Sequence, residues 1–135
     1  MALLTWSDSL SVGVKAMDEQ HRVLVGTLND LHTAMLAGKA HTITGELLLK
    51  LVEYTKYHFS AEEQLMQAAE FPGVTAHRVR HQDLTRDVEF FVDRYQRGEE
   101  MLNIHLMNFL RDWLSHHILE EDREYGVWMN RPGAQ

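Results

Sequence analysis

The sequence predicts an all-α fold: an antiparallel up-down-up-down four-helix bundle with an extended N-terminal arm and a short C-terminal helical tail. Three observations lead to this prediction. Four segments carry apolar residues at spacings of three and four, short breaks containing Gly or Pro separate them, and no segment alternates as a strand does. Short connections place consecutive helices antiparallel. Because 135 residues are enough for one core and too few for a usual division into domains, we expect the whole chain to form one domain.

The arm and the first helix are distinguished by a change of pattern near residue 18. Residues 1–17 have no helical period and contain turn-forming residues, so we expect them to be extended. The first helix is predicted over residues 18–37, with Asp18 as its N-cap. Its apolar face consists of Leu24, Leu28, Leu31 and Met35.

Three further helices are predicted over residues 41–70, 74–97 and 101–121, and residues 122–135 form the tail, with one more helical turn. The second helix ends at "FPG" and the third at Gly98. The apolar residues of the three helices are Leu47, Leu51, Leu65 and Ala69; Leu84, Val88, Phe91 and Tyr95; and Leu106, Leu110, Trp113 and Leu114.

The composition argues against several kinds of partner and location. The chain has 20 acidic residues against 13 Lys and Arg, a net charge of −7, and no basic run, which argues against nucleic acid. No apolar stretch approaches the roughly 18 residues that span a bilayer, and the start lacks a signal-peptide pattern. We therefore expect a cytoplasmic protein without membrane insertion. Because Cys is absent, any metal must be bound by nitrogen and oxygen.

Five of the nine histidines fall on the predicted apolar faces, together with one acid. They are His21 before Leu24, His58 and Glu62 in the second helix, His77 and His81 in the third, and His117 in the fourth. Burying such groups without partners costs roughly 1–3 kcal/mol each. In an antiparallel bundle these positions lie at one end, so the sequence predicts a metal site there. His32, His41, His105 and His116 lie off these faces and are expected to face solvent.

The number of donors favours two metal ions over one. Five imidazoles and a carboxylate exceed the needs of one four-coordinate zinc and suit iron better than magnesium or calcium. Two six-coordinate ions bridged by two carboxylates and one water-derived oxygen would keep one position open for a small ligand. The second carboxylate is ambiguous, because α-helical geometry favours Glu121 beside His117, or Glu120 beside His116, over Asp122 at about 140°.

Four segments in order, "SVGVKAMDEQH", "HFSAEE", "HRVRH" and "HILEED", resemble the successive motifs of the hemerythrin family, in its single-domain bacterial form. The resemblance covers about residues 6–128. It implies a non-haem di-iron site that binds O2 reversibly, in a carrier, a store or a supplier to an oxygen-consuming enzyme, and not an enzyme. It also selects Asp122, which requires the helix to end, widen or bend after His117, for example through a π-type turn.

The resemblance further implies a role for each site residue. One iron is held by His77, His81 and His117 and the other, which keeps a vacancy, by His21 and His58; Glu62, Asp122 and an oxo or hydroxo group bridge the pair. The family pattern and the helical positions together place an apolar O2 pocket at Leu24, Phe59, Trp113, Leu114 and Ile118. These five residues also suit ordinary bundle core, and both interpretations can hold at once.

Three alternative functions are weighed against O2 carriage. A di-iron enzyme acting on O2, peroxide or nitric oxide is one, but ferritin-like oxygen-activating sites use a Glu-x-x-His motif that this sequence lacks. An oxygen or redox sensor is another, and the sequence shows no signalling domain. A metal-free interaction bundle does not account for histidines and an acid on the core-facing side.

Overall fold

A computed structural model describes residues 3–99 and 104–132. Within that part of the chain all regular structure is helical, and the predicted four-helix bundle is confirmed. The helices are a short 3-10 helix (Asp8–Leu10), α1 (Lys15–Leu36), α2 (His41–Ala68), α3 (Val74–Gln96), α4 (Ile104–His116), a π-helix (His117–Asp122) that continues α4, and α5 (Arg123–Met129). The prediction that residues 1–17 are extended is therefore wrong for residues 8–10 and 15–17, which are helical. Residues 101–103 of the predicted fourth helix and the outer ends of the arm and tail lie outside the described residues.

The chain before α1 is tied to the bundle by side chains, and Asp18 takes part. The predicted N-cap role of Asp18 is wrong, because α1 begins at Lys15 and Val14 precedes it. The Asp18 carboxylate instead accepts hydrogen bonds from Ser11 Oγ at 2.6 Å and from the Val12 backbone N–H at 2.9 Å. The segment is also anchored further along α1, where Asn29 Oδ1 accepts hydrogen bonds from two backbone N–H groups at 3.0 Å.

The core lies between the four long helices, with α1 against α2 and α4, and α2 against α3. Most residues of the predicted apolar faces are buried, and seven of them are at most 1% exposed: Leu24, Leu28, Leu31, Leu51, Val88, Leu110 and Leu114. Leu65 is an exception at 37% exposure, because Glu62 and Met66 take the inward positions on that turn of α2. The side chain of Leu106 lies outside the described part.

The bundle end that holds the core histidines is closed by α5 and the N-terminal segment. Gly126 lies so close to Val12 that a Cβ atom there would be 1.7 Å from the Val12 carbonyl oxygen. Tyr125 packs edge-on against Phe71 with ring centroids 5.1 Å apart. Asn130 Nδ2 donates a hydrogen bond to the Gly13 carbonyl at 3.0 Å. No helix among the described residues combines the length and apolar character needed to cross a bilayer.

Candidate metal centre

A π-helix brings Asp122 to the same side of the chain as His117. The segment His117–Asp122 forms this π-helix between α4 and α5. In a π-helix the backbone pairs residue i with i+5, so a side chain five positions on lies above the first, where an α-helix would turn it away. Asp122 Oδ2 consequently lies 2.8 Å from His117 Nε2. The widening of the helix that the sequence required for Asp122 is therefore present.

Glu62 lies at the centre of one group of imidazoles. Its Oε1 atom is 3.1 Å from His81 Nε2 and 3.2 Å from the Nε2 atoms of His58 and His117. Glu62 follows His58 by one turn of α2, while α3 and the π-helix supply the other two rings. Glu62, His58, His81 and His117 are all at most 2% exposed, so the group is sealed from solvent.

Asp122 gathers a second group from the other side. Its Oδ2 atom is 2.6 Å from His21 Nε2 and 2.8 Å from His117 Nε2, and its Oδ1 atom is 2.8 Å from His77 Nε2. The start of α1 contributes His21 and the start of α3 contributes His77. In both groups every imidazole presents Nε2 inward. The cluster thus directs five nitrogen donors at two carboxylates.

These side chains form two overlapping donor sets, in each of which the ligand atoms lie within 4.8 Å of one another. One set contains His21 and His58, the other His77 and His81, and the two sets share Glu62, His117 and Asp122. Both carboxylates therefore reach both sets. A pair of neighbouring cations bridged by carboxylates fits this arrangement.

Some of these buried donor atoms have no hydrogen-bond partner, and a bound cation would satisfy them. Although imidazole nitrogens surround Glu62, neither of its oxygens accepts a hydrogen bond of suitable geometry from the described residues, and His81 Nε2 has none either. A buried carboxylate without partners is costly by several kcal/mol, and metal coordination is one of the few ways to satisfy it. The nitrogen and oxygen donor set suits a borderline transition metal such as iron.

The charges of the cluster shift the pKa values of its members. Burial raises the pKa of the Glu62 carboxyl, but the charges of His58 and His117 lower it below the usual range. Burial likewise opposes charge on Asp122 and on His117, yet their mutual attraction holds the pKa of Asp122 well below 3.8 and that of His117 well above 6.5. The pKa of His21 is raised despite burial, chiefly by its hydrogen bond to Asp122. Without metal, protons occupy places that a cation would take.

A family model described as a hemerythrin HHE cation binding domain matches residues 12–128. The chain belongs to the hemerythrin family. A bacteriohemerythrin of Stenotrophomonas maltophilia is 37% identical over 125 residues, which are 93% of this chain and 80% of that protein. One of Pseudomonas aeruginosa is 38% identical with the same coverage. A solved structure of wild-type hemerythrin has a TM-score of 0.86 and 31% identity, over 93% of this chain and 96% of that chain.

The structure of this hemerythrin brings all the ligands that the sequence predicted into one cluster: His21, His58, Glu62, His77, His81, His117 and Asp122. Glu121 and Glu120, the acids that α-helical geometry favoured, are not part of either donor set. Glu121 does contact His117, but at the outer nitrogen, where it accepts a hydrogen bond from Nδ1 at 3.1 Å. His117 therefore contacts acids at both of its nitrogens, with Glu62 and Asp122 at Nε2 and Glu121 at Nδ1.

The five residues predicted to line the hemerythrin O2 pocket are buried, with Leu24, Leu114 and Ile118 at most 1% exposed. Phe59 stacks on His81 with ring centroids 3.9 Å apart and lies edge-on to His117 at 4.8 Å, closer than to His58 at 5.9 Å. Phe59 thus packs mainly against rings that the resemblance assigns to the three-histidine iron. Trp113 donates its indole N–H to the Leu84 carbonyl at 3.3 Å. This hydrogen bond fixes the Trp113 ring against α3, about one turn after His81.

Two features of the site escaped the sequence interpretation. Gln20 and Glu63 accept hydrogen bonds from the outer nitrogens of His58 and His81, at 2.6 Å and 2.9 Å. Their positions next to His21 and Glu62 in the chain were the only available signal. The prediction that His32 faces solvent is wrong, because it is 8% exposed on α1. His41, His105 and His116 are exposed as predicted.

Proposed function

We propose that this chain binds O2 reversibly at a non-haem pair of iron ions. The observation that carries the proposal is the pair of overlapping donor sets that share both buried carboxylates. Five Nε2 atoms and four carboxylate oxygens are too many for one ion with six positions, whereas two ions can use all of them. We therefore assign one bridging role each to Glu62 and Asp122, beside an oxo or hydroxo group.

The division of the histidines leaves the two ions unequal. We assign His77, His81 and His117 to one ion, and His21 and His58 to the other. With both carboxylates shared, the two-histidine ion would have one protein ligand fewer than the other, so a position would remain for O2. A pair of ferrous ions held by these residues would supply the electron exchange that reversible O2 binding requires.

The protein's own contribution is to hold these ligands and to exclude water. Leu24, Leu114 and Ile118 are buried in the helices that carry His21 and His117, within one turn of those ligands. An apolar, dry lining at this position hinders entry of water and of external reductants, and it offers no proton donor to the site. Reversible release depends on this protection, because loss of reduced oxygen from the site would leave the iron oxidised.

The same donor set favours carriage over catalysis. A nitrogen-rich ligand set stabilises highly oxidised iron less well than the carboxylate-rich sites of ferritin-like enzymes, and the sequence has no Glu-x-x-His motif. Carriage, storage and supply of O2 to an oxygen-consuming enzyme use one site and differ in affinity and partner.

We propose that the protein binds O2 in the cytoplasm, because the absence of Cys fits a reducing compartment.

The test is a cycle of reduction, oxygenation and purging. The iron-loaded protein is reduced without air, exposed to air and then purged with inert gas while the visible spectrum is recorded. We expect a coloured adduct that returns to the colourless reduced form, and two iron ions per chain by metal analysis. Irreversible oxidation would favour an enzyme or a sensor, and one ion per chain or native zinc would overturn the di-iron assignment. His117→Ala should abolish the colour, while the matched His116→Ala should keep it, because His116 is exposed.

A further inference from the structure

The outer nitrogens of the core histidines have unequal partners. His81 Nδ1 donates to the Glu63 carboxylate at 2.9 Å, and His117 Nδ1 donates to the Glu121 carboxylate at 3.1 Å. His58 Nδ1 donates instead to the neutral Gln20 amide oxygen, at 2.6 Å. His21 Nδ1 is buried and has no hydrogen-bond partner among the described residues.

The inequality follows the division between the two ions. Under the proposed function, His81 and His117 belong to the three-histidine ion, and both are backed by carboxylates. His58 and His21 belong to the two-histidine ion, and one is backed by an amide while the other has no partner. Negative charge outside the ligands is therefore concentrated behind one ion of the pair.

Such partners change the electronic properties of a metal-bound imidazole. A ring that donates its outer N–H to a carboxylate is more basic at the other nitrogen, and it passes more electron density to the metal than a ring bonded to an amide. Extra electron density stabilises the more oxidised ion, so it lowers the reduction potential.

Glu63 is held in place for this contact. Arg78 Nε donates to Glu63 Oε1 at 3.0 Å, while Glu63 Oε2 accepts the His81 proton, so the two oxygens are fixed by different partners. The Glu63 side chain is 23% exposed, on a groove between α2 and α3 that is also lined by Phe59 and His81. A substitution at Glu63 therefore changes the charge behind His81 without opening the core.

We propose that Glu63 and Glu121 are positioning residues that make the three-histidine ion the better electron donor of the pair. The neutral Gln20 leaves the O2-binding ion with the higher reduction potential, so that ion stays reduced until O2 arrives. This inference rests on the proposed di-iron site and states which ion is oxidised more easily. The three-histidine ion gives up its electron more readily than the two-histidine ion, which binds O2.

The test uses substitutions that change charge but keep a hydrogen-bond acceptor. Glu63→Gln and Glu121→Gln each remove one charge behind the three-histidine ion, and Gln20→Glu adds one behind the other. Glu89→Gln is the matched control, because Glu89 lines the same groove and pairs with Lys56 at 2.6 Å. Each iron-loaded protein is titrated anaerobically with a reductant to obtain the midpoint potentials, and iron retention against a chelator is measured in parallel.

We expect the first two variants to raise the potential, Gln20→Glu to lower it, and Glu89→Gln to match the parent. Glu63→Ala, which removes the acceptor as well, should weaken iron binding by about 10- to 100-fold. Equal potentials in Glu63→Gln, Glu121→Gln and Glu89→Gln would overturn the inference while the parent still binds O2 reversibly. A parent that holds no iron pair would instead overturn the proposed function, and this inference with it. Glu63 and Glu121 lie on different helices, so misfolding of one variant leaves the other as the test.

Discussion

Asp122 and His117 contact each other across a π-helical turn, with Oδ2 and Nε2 2.8 Å apart. Glu121, the acid next to Asp122, contacts the other nitrogen of the same ring. The two acids therefore differ in role although they are adjacent. We expect Asp122→Ala to lose or disorder the iron pair, because it removes a carboxylate common to both donor sets. Glu121→Ala should still hold two ions per chain at saturating iron, and metal analysis with visible spectra distinguishes the variants. The reverse result would move the bridge to Glu121.

Leu114 is 1% exposed and lies one turn before His117. We expect Leu114→Ala to open space beside the site and to speed O2 loss or autoxidation. The same change should lower the free energy of unfolding by roughly 2–5 kcal/mol, the usual cost of such a cavity. Leu28→Ala is the control, because Leu28 is fully buried on α1 about one turn beyond Leu24, further from the ligands. It should lose similar stability with unchanged O2 kinetics, and unchanged kinetics in Leu114→Ala would remove Leu114 from the pocket.

The pKa shifts of the cluster predict how the metal-free protein responds to pH. The raised pKa values of His21 and His117 add stability that is fully present below about pH 6.5 and is lost as the pH rises through the folded-state values. The lowered pKa values of Glu62 and Asp122 add stability that is present above about pH 4 and is lost as the pH falls through the folded-state values. The metal-free protein should thus be most stable in mildly acidic solution.

Metal should reverse the alkaline part of this dependence, because bound metal replaces the protons on the imidazoles and its affinity rises as they leave. Thermal unfolding of chelator-treated and iron-loaded protein, measured at about pH 5.5 and pH 8.5, tests this. We expect the metal-free protein to be less stable at the higher pH, and the stabilisation by metal to be larger there. A stabilisation by metal that shrinks with rising pH would contradict the proton competition.

Gly126 is the point at which α5 meets the N-terminal segment. An added Cβ would lie 1.7 Å from the Val12 carbonyl oxygen, so Gly126→Ala must push the two segments apart. We expect a loss of about 1–3 kcal/mol in the free energy of unfolding, the range for overpacked sites. Gly26→Ala is the matched control, because a Cβ on this exposed glycine of α1 would meet nothing within 4 Å. It should gain about 0.5–1 kcal/mol from helix propensity. Chemical denaturation of both variants measures the contrast.

The sequence was sufficient for the bundle and for the positions that follow an α-helical period. His77 and His81 continue the apolar face of α3, and the same logic placed His21 and His58. Asp122 could not be obtained in this way, because its contact depends on a local change of helix type that periodicity does not encode. Only the family motif identified it.

The remaining differences have physical reasons of the same local kind. Gln20 and Glu63 lie beside the apolar faces of their helices, where periodicity does not distinguish a side chain bonded to the outer nitrogen of a histidine from a solvated one. Asp18 has the residue type and position expected of an N-cap, yet its carboxylate accepts hydrogen bonds from Ser11 and Val12 in the segment before α1. His32 is buried by neighbours that only the tertiary structure brings to it.

The π-helix also sets the direction of everything that follows it. Accommodating one residue more than an α-helix would hold in the same length rotates the downstream chain by about 100° relative to an uninterrupted helix. That rotation is what turns Tyr125 and Trp128 towards Phe71, with ring centroids 5.1 and 5.3 Å away. If the same residues formed an α-helix instead, the change would therefore do more than move the Asp122 carboxylate. It would re-aim the aromatic side chains that hold the loop after α2 against the end of the bundle.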